Sequence, residues 1–570
     1  MKLVIVGGVA GGMSAAARAR RLNEAAEIIV LDRGPHVSFA NCGLPYHLSG
    51  EIPERQSLLL HTPATLKSQL NLDVRVNSEA TAIDRAARTV TVSGPRGDYT
   101  LDYDALILAP GARAMVPPIR GVDNPAVFPL RTIPELDAIM AHLAGLEGGH
   151  GPGEQLDEGA PLRAVVVGAG FIGLEAVEAL AHRGLEVTLV EFAPHVLPPL
   201  DDELAPLLQA ELERNGVTVR VGTSVVAIDD APATGVVATL SDGTVVPADV
   251  VVVATGVVPD TALAKRAGLD LGFRDAIAVD GAMRTSDAHI WAVGDAVQVR
   301  QRVGDVEILG PVPLAAPANR HGRLAADAIM RGRAADGEPA PVVLGTAIVR
   351  VFGMVAAITG ASQRMLRTNG VESTTVHIHP GSHAGYYPGS EQIHLIGSFA
   401  PDGTLLGAQA VGRDGVDKRI DVLATAIKAG MTADDLADLD LAYAPPFGSA
   451  KDPVNMLAFT AQNILDGTMP VWYAQDLQWA KQNSLILDVR SAAECSRGKV
   501  FEALNVPHTQ VRDRIDEIRV AAAGRPIAVH CASGVRSYLA TRILREHGLD
   551  ARNLSGGALT LQAVNPRWTD

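Results

Sequence analysis

The chain is 570 residues long, 47% hydrophobic and only 4% aromatic, with Gly 56, Pro 35 and a formal net charge of −15. Its length predicts about three to five domains with sizeable cores, and the glycine-rich, aliphatic composition reads as an α/β enzyme rather than a fibrous or disordered protein. The acidic balance argues against nucleic acid and anionic membrane as partners, because both need a basic surface. Three cysteines without a CxxC spacing argue against a disulfide framework or a zinc site and fit a reducing cytoplasm. Lys2-Leu3-Val4-Ile5-Val6 runs at once into glycines and lacks the h-region of an export signal. No apolar run approaches about 18 residues, so a soluble, cytoplasmic chain is expected.

In chain order, Leu3 to Val6 is an apolar β run, and Gly7-Gly8-Val9-Ala10-Gly11-Gly12 opens an Ala-rich helix through Ala19. Ile28 to Leu31 forms a second strand that ends at Asp32 and Arg33. Strand, glycine turn, helix, strand and terminal acid make a dinucleotide fingerprint, in which backbone amides meet pyrophosphate and the carboxylate takes a ribose hydroxyl. Val9 stands where the pattern has its second glycine. Directly after this unit, Ser38-Phe39-Ala40-Asn41-Cys42-Gly43-Leu44-Pro45-Tyr46 sets one cysteine among turn residues. Helix dipole and backbone donors are expected to stabilise the thiolate there, making Cys42 a nucleophile.

Tyr103 to Ala112 reads as a buried returning strand closing in a Gly/Pro turn, with Ala109 and Gly111 among the expected cofactor contacts. Leu146 to Pro161 reads as an exposed loop. A second, complete fingerprint follows: a strand from Arg163 to Val167, then Gly168-Ala169-Gly170-Phe171-Ile172-Gly173, a helix, and a strand ending at Glu191. Two units imply two dinucleotides, with FAD in the first and a nicotinamide in the second, and electrons passing between them. Glu191 accepts from a ribose 2′-OH and repels a 2′-phosphate, and neither Phe192 nor Ala193 adds a cation, so NADH is expected over NADPH. The returning-strand grammar repeats in Ala248 to Gly256. His289 to Ala296 is a strand ending in Gly294-Asp295, where the acid can bond a ribityl hydroxyl of the flavin.

These two fingerprints, the returning strands and the Gly-Asp turn together resemble the flavin-dependent pyridine nucleotide-disulfide oxidoreductases over about residues 1 to 455. The SFANCGLPY stretch is similar to the coenzyme A disulfide reductase branch, which uses one cysteine. The resemblance implies that Cys42 cycles between a thiol and a mixed disulfide or persulfide against the flavin. It also implies coenzyme A contacts at Ser14, Arg18, Arg21, Ser38 and Asn41; Asn41 serves the cofactor site as well, and Asn319 stands where the family has a histidine contact. The stretch from about Pro339 to Pro453 corresponds to the family's dimerisation domain. There Tyr386, Tyr387 and Tyr443 are implied to reach the partner subunit's active site, as proton donors to a leaving thiolate, with Lys451 a coenzyme A contact. The spacing and loop setting of His377, His379 and His383 are poor for a metal, and none is expected.

At the end of the chain, Pro526 to His530 is a strand that delivers Cys531-Ala532-Ser533-Gly534-Val535-Arg536-Ser537 to a helix start. That geometry rings a sulfur with amides, cradles an anion and favours a thiolate. With Asp488-Val489-Arg490, Glu494 and Leu554-Ser555-Gly556-Gly557, it resembles a rhodanese domain across about 475 to 565, which implies a persulfide at Cys531 beside Arg536. Cys-x5-Arg phosphatases share the cradle, but the loop here is Cys-x4-Arg. Cys495 and Lys499 depart from the rhodanese pattern, and Cys495 is read as structural.

The expected architecture is α/β: two Rossmann-like dinucleotide-binding domains, an α+β dimerisation domain and a C-terminal α/β rhodanese-like domain. The boundaries are 1-112 with 250-335 for FAD, 113-249 for NADH, 336-456 for dimerisation and 472-566 for the rhodanese-like part. The expected activity is FAD-dependent, NADH-driven reduction of persulfide, polysulfide, coenzyme A persulfide or coenzyme A disulfide by a homodimer, with sulfur passed from Cys531 to Cys42. The alternatives are an NADH oxidase or peroxidase working through a Cys42 sulfenic acid, and a redox-sensing flavoprotein.

Overall fold

The structure is a computed structural model that describes residues 1–148, 161–231, 235–332 and 338–569. The chain divides into two compact units: Met1–Pro194 with Gly216–Arg302 and Glu307–Gly345, and His195–Asn215 with Val303–Val306 and Thr346–Asp570. The fold is mixed α/β. No helix among the described residues is long and apolar enough to cross a membrane.

The first unit contains the same construction twice. In one parallel sheet, Lys2–Val6 lies between Glu27–Leu31 and Ala105–Leu108, with Asp73–Arg75 and Ile290–Ala292 at the edges. In the other, Arg163–Val167 lies between Glu186–Glu191 and Val250–Val253, with Thr218–Val221 and Val127–Pro129 outside them. Leu3, Val4, Ile5, Val165 and Val166 have no exposed surface. A parallel strand covered on both faces needs such an unbroken apolar run, and each buried aliphatic side chain contributes about 1.5–3 kcal/mol.

Each copy also carries a three-stranded antiparallel meander just before its returning strand. One is Glu79–Asp84, Thr89–Gly94 and Gly97–Asp102; the other is Val225–Ala231, Gly235–Leu240 and Val245–Ala248. Val90 and Val92 are fully buried while Thr89 and Thr91 are not, the alternation of a sheet with one covered face. Of the loop expected over residues 146–161, the first three residues close the helix Ile133–Gly148, and residues 149–160 lie outside the described residues.

The second unit holds a five-stranded antiparallel sheet in the order Ala347–Val351, Met354–Gly360, Leu405–Gly412, Ile393–Phe399, Thr374–Ile378. The helices Val416–Ala429 and Pro453–Leu465 cover it through a core that includes Phe399, Leu423 and Leu457. A parallel sheet follows, ordered Val471–Trp472, Ala551–Leu554, Ile527–His530, Leu485–Asp488, Leu504–Asn505. Residues 195–215, which in sequence continue the second fingerprint, belong to this unit. Their polar side chains are fastened there: the Gln363 backbone N–H donates to Asp201 Oδ2 at 3.1 Å, and the Arg413 guanidinium donates to Glu211 Oε2 at 2.7 Å.

Candidate active site

Both fingerprint loops follow one pattern. Gly7 and Gly168 have φ of +104° and +102°, and a Cβ on them would lie 2.0 Å from the Ala109 carbonyl oxygen and 2.5 Å from that of Ala254. Only glycine allows the returning strand to come so close at such a dihedral. The strand-end acids then fasten the loops. Asp32 accepts the Gly8 and Gly34 amides, each at 2.8 Å, and burial pushes its carboxyl up. Glu191 accepts the Ala169 amide at 2.6 Å and the Ala193 amide at 2.7 Å. Each oxygen keeps a second lone pair for a ribose hydroxyl.

The structure also explains Val9. Its counterpart Gly170 has φ −74°, and a Cβ there would meet nothing, so this position needs no glycine for the fold of the loop. Neither helix start carries an acid in its first turn or a capping side chain, which leaves both suited to an anion. In front of the first loop lies a cleft of about 430 Å³ lined by Gly7, Ala10, Asp32, Gly111, Arg131 and Asp295 among others. Open glycine backbone, a ribose-type acid and apolar walls fit a dinucleotide.

Cys42 stands on the three-residue turn Asn41–Gly43, which leads into the helix Leu44–Leu48. The stretch is tied to the first loop by the Ser38 amide, which donates to Gly8 O at 2.8 Å, and Ser38 itself sits at φ +49°. Left-handed backbone in a residue other than glycine is costly and collects at functional sites. Asn41, which lines the cleft, and Cys42 are both exposed.

The groups expected to stabilise a thiolate at Cys42 are present but outweighed. Partial desolvation pushes the Cys42 thiol above its ordinary value, Glu175 and Asp295 push it further, and Arg131 and one backbone donor oppose them. A five-residue helix has too short a dipole to compete with two carboxylates, and Pro45 removes one of its donors. Glu175, Arg131 and Tyr46 were not singled out in the sequence. Arg131 donates to Asp295 Oδ2 at 3.1 Å, and the Tyr46 hydroxyl donates to Glu175 Oε1 at 3.3 Å. Tyr46 closes the cysteine stretch and Glu175 follows the second fingerprint, whereas Arg131 belongs to no motif; their meeting around Cys42 and Asp295 comes from the fold.

Of the residues expected to meet coenzyme A, Ser14 and Arg18 are engaged within the unit. Ser14 donates to Asn319 Oδ1, and Arg18 meets Asp327 at 2.7 Å, both partners belonging to the helix Ala315–Arg331. Arg21 is exposed. Arg33, expected at the cofactor, donates to Asp260 Oδ2 at 2.8 Å. In the second unit Lys451 is exposed, and the hydroxyls of the exposed Tyr386 and Tyr443 lie 2.9 Å apart. Tyr387 packs edge-on against His383, with ring centroids 5.6 Å apart.

Cys531 follows the strand Ile527–His530 and has no exposed surface. Its sulfur accepts the Gly534 amide and the Ser537 hydroxyl, each at 3.2 Å. Arg536 is held by Glu494 at 2.6 and 2.8 Å, a pairing that lowers the Glu494 carboxyl far below the usual carboxylate range. Cys495 donates to Asp488 Oδ2 at 3.2 Å, and burial followed by that acid pushes its thiol up to about 11. That setting suits the structural role expected of it.

The chain matches the family Pyridine nucleotide-disulphide oxidoreductase over residues 1–326, the dimerisation domain of the same family over 346–453, and the Rhodanese-like domain over 469–562. The solved structure of reduced Bacillus anthracis CoADR-RHD is 41% identical, with a TM-score of 0.93 and coverage of 100% of this chain and 98% of that one. The structure of a NAD-dependent persulfide reductase from A. fulgidus is 39% identical, with a TM-score of 0.89 over 98% of this chain and 100% of that one. A coenzyme A disulfide reductase from Staphylococcus haemolyticus is 32% identical over 466 residues, 81% of this chain and 100% of its own length.

Proposed function

Because the chain belongs to the pyridine nucleotide-disulphide oxidoreductase family, we propose that it is an FAD-dependent, NADH-driven reductase of persulfide sulfur, working as a cytoplasmic homodimer. The observation that carries this reading is a single cysteine beside the first dinucleotide cleft, in a chain whose buried Cys531 lies in a sulfur-cradling loop. The likeness to a persulfide reductase and to a coenzyme A disulfide reductase supports it.

The first loop, Asp32 and Asp295 hold the flavin, and the second loop with Glu191 holds NADH. A flavin held there would supply two-electron transfer between NADH and a sulfur–sulfur bond. Cys531 attacks the terminal sulfur of a persulfide, releases the donor thiol, and becomes a persulfide. The thiol of coenzyme A takes that sulfur and restores Cys531. Cys42 then attacks coenzyme A persulfide at the sulfur next to carbon, hydrosulfide leaves, and a Cys42–coenzyme A disulfide remains. Two electrons from NADH, with protons, return both thiols. In sum, coenzyme A persulfide, NADH and one proton give coenzyme A, hydrogen sulfide and NAD⁺. Arg131 is the cation placed to favour the attacking thiolate, and Tyr386, Tyr387 and Tyr443 of a partner subunit are assigned to protonating the leaving thiolate.

The test is NADH consumption with coenzyme A persulfide, coenzyme A disulfide, polysulfide and oxygen as alternative acceptors. Cys42→Ser abolishes turnover on the sulfur acceptors, and Cys531→Ser spares coenzyme A persulfide but not sulfur donated by larger thiols. Full persulfide turnover by Cys42→Ser, or oxygen as the best acceptor, defeats the scheme.

A further inference from the structure

The loop that cradles Cys531 is braced from outside its own domain. Its floor is the turn after Ala551–Leu554: the Ala558 amide donates to Cys531 O at 2.8 Å, and the Leu559 amide donates to Ala532 O at 3.0 Å. A Cβ on Gly557 would lie 2.7 Å from both Ala532 O and the Gly534 nitrogen, so the turn and the loop are in direct contact. Gly534 is in turn the residue whose amide reaches the Cys531 sulfur.

The other side of this turn rests on the antiparallel sheet. Along its edge strand Thr374–Ile378, alternate residues reach across. Thr375 O accepts the Tyr473 hydroxyl at 3.1 Å, and His379 Nε2 and Thr560 Oγ1 share a hydrogen bond of 2.9 Å just past the strand's end. His377 is the centre of this ladder. Its Nδ1 shares a hydrogen bond of 2.8 Å with Ser555 Oγ, which also accepts the His377 amide at 3.3 Å. Both residues are 4% exposed. The opposite ring nitrogen faces the Glu203 carboxylate at 3.5 Å, and Gln363 donates to the other Glu203 oxygen at 3.1 Å. The ring is thus hydrogen-bonded to Ser555 on one side and faced by an acid on the other. A Cβ on Gly556 would lie 2.8 Å from His377 Cβ, which leaves the turn no room to shift toward the sheet.

We propose that His377, acting through Ser555, is a positioning residue for the chemistry at Cys531, so that the sheet of residues 346–412 sets the shape of the sulfur-carrying loop. This rests on the reading of Cys531 as a sulfur carrier. A buried hydrogen bond lost at this place frees the turn, and small misplacements of a reacting group are costly in rate.

The experiment uses the full-length flavoprotein with thiosulfate as donor and cyanide as acceptor. Cys531 takes the outer sulfur of thiosulfate, sulfite leaves, and cyanide carries the sulfur away as thiocyanate. His377→Ala is expected to lower kcat about ten-fold with KM little changed, and iodoacetamide labelling of Cys531, read by peptide mass, should become several-fold faster as the loop loosens. His377→Asn, whose amide occupies the place of Nδ1, should restore most of the kcat and most of the slow labelling. Ser555→Ala should match His377→Ala, and the double variant should be no worse than either single one. NADH-dependent reduction of coenzyme A disulfide at Cys42 should stay within two-fold throughout.

Transfer and labelling both within two-fold of the starting protein in His377→Ala overturn the proposal. So does His377→Asn failing as badly as His377→Ala with a parallel fall in Tm, since that is a plain packing role. If the unaltered protein moves no sulfur while labelling still responds to His377→Ala and recovers in His377→Asn, the carrier reading falls and the positioning role stands.

Discussion

On the proposed function, Glu191 is the residue on which the choice of nicotinamide turns, and replacing it tests that role. Its carboxylate accepts two backbone amides at 2.6 and 2.7 Å and is 8% exposed, so it is rigidly placed for a ribose hydroxyl. A hydrogen bond to a charged group contributes about 1.5–3 kcal/mol, which converts to about 10- to 150-fold in KM for NADH. A phosphate at that place meets repulsion of up to about 4 kcal/mol per unit charge at 4 Å and an effective dielectric constant of about 20. Glu191→Ala should therefore raise KM for NADH at least ten-fold, lower KM for NADPH, and leave kcat within two-fold. Glu191→Gln, which still accepts one amide and keeps the loop fastened, should lose the discrimination while losing less NADH affinity. The assay is steady-state oxidation of each nucleotide with saturating coenzyme A disulfide, alongside flavin content to confirm a folded site. A folded Glu191→Ala protein with unchanged KM for NADH and no gain with NADPH refutes the reasoning.

In protein stripped of flavin, Cys42 should be alkylated slowly at neutral pH, with a midpoint above the usual thiol range, because partial desolvation, Glu175 and Asp295 all disfavour its thiolate. Glu175→Gln should move that midpoint down, and a midpoint at or below that of free cysteine contradicts the acidic setting. Asp201 gives a stability prediction: burial, with Glu203 nearby, pushes its carboxyl up to about 6 from 3.8. The folded state then holds the proton more tightly than the unfolded chain, so this contribution is complete below about pH 4 and is lost as pH rises through about 6. Asp201→Asn should raise stability at pH 8 by up to about 3 kcal/mol and change little at pH 4; equal Tm shifts at the two pH values would count against it.

The features legible in the sequence are those fixed by backbone geometry. Gly7 and Gly168 are required by carbonyls that pass within contact of them, and Asp32 and Glu191 by amides that need acceptors, so each leaves a recognisable letter at a recognisable spacing. What escaped the sequence was assembled across distance. Arg131, Glu175 and Asp260 are ordinary charged residues until the chain brings them beside Asp295, Cys42 and Arg33. Residues 195–215 are continuous with the second fingerprint yet group with the second unit, since their buried acids find partners at Gln363 and Arg413. The thiol of Cys42 shows the same division: its local turn favours a thiolate, and side chains more than a hundred residues away disfavour one.

The complete enclosure of Cys531 bears on how long a carried sulfur survives. Dissolved oxygen and peroxide oxidise only atoms they can touch, and a persulfide in free solution enjoys no such shelter. On the proposed function, a sulfur carried there can be reached only when the enclosure opens, so a donor, an acceptor and an oxidant all depend on the same opening.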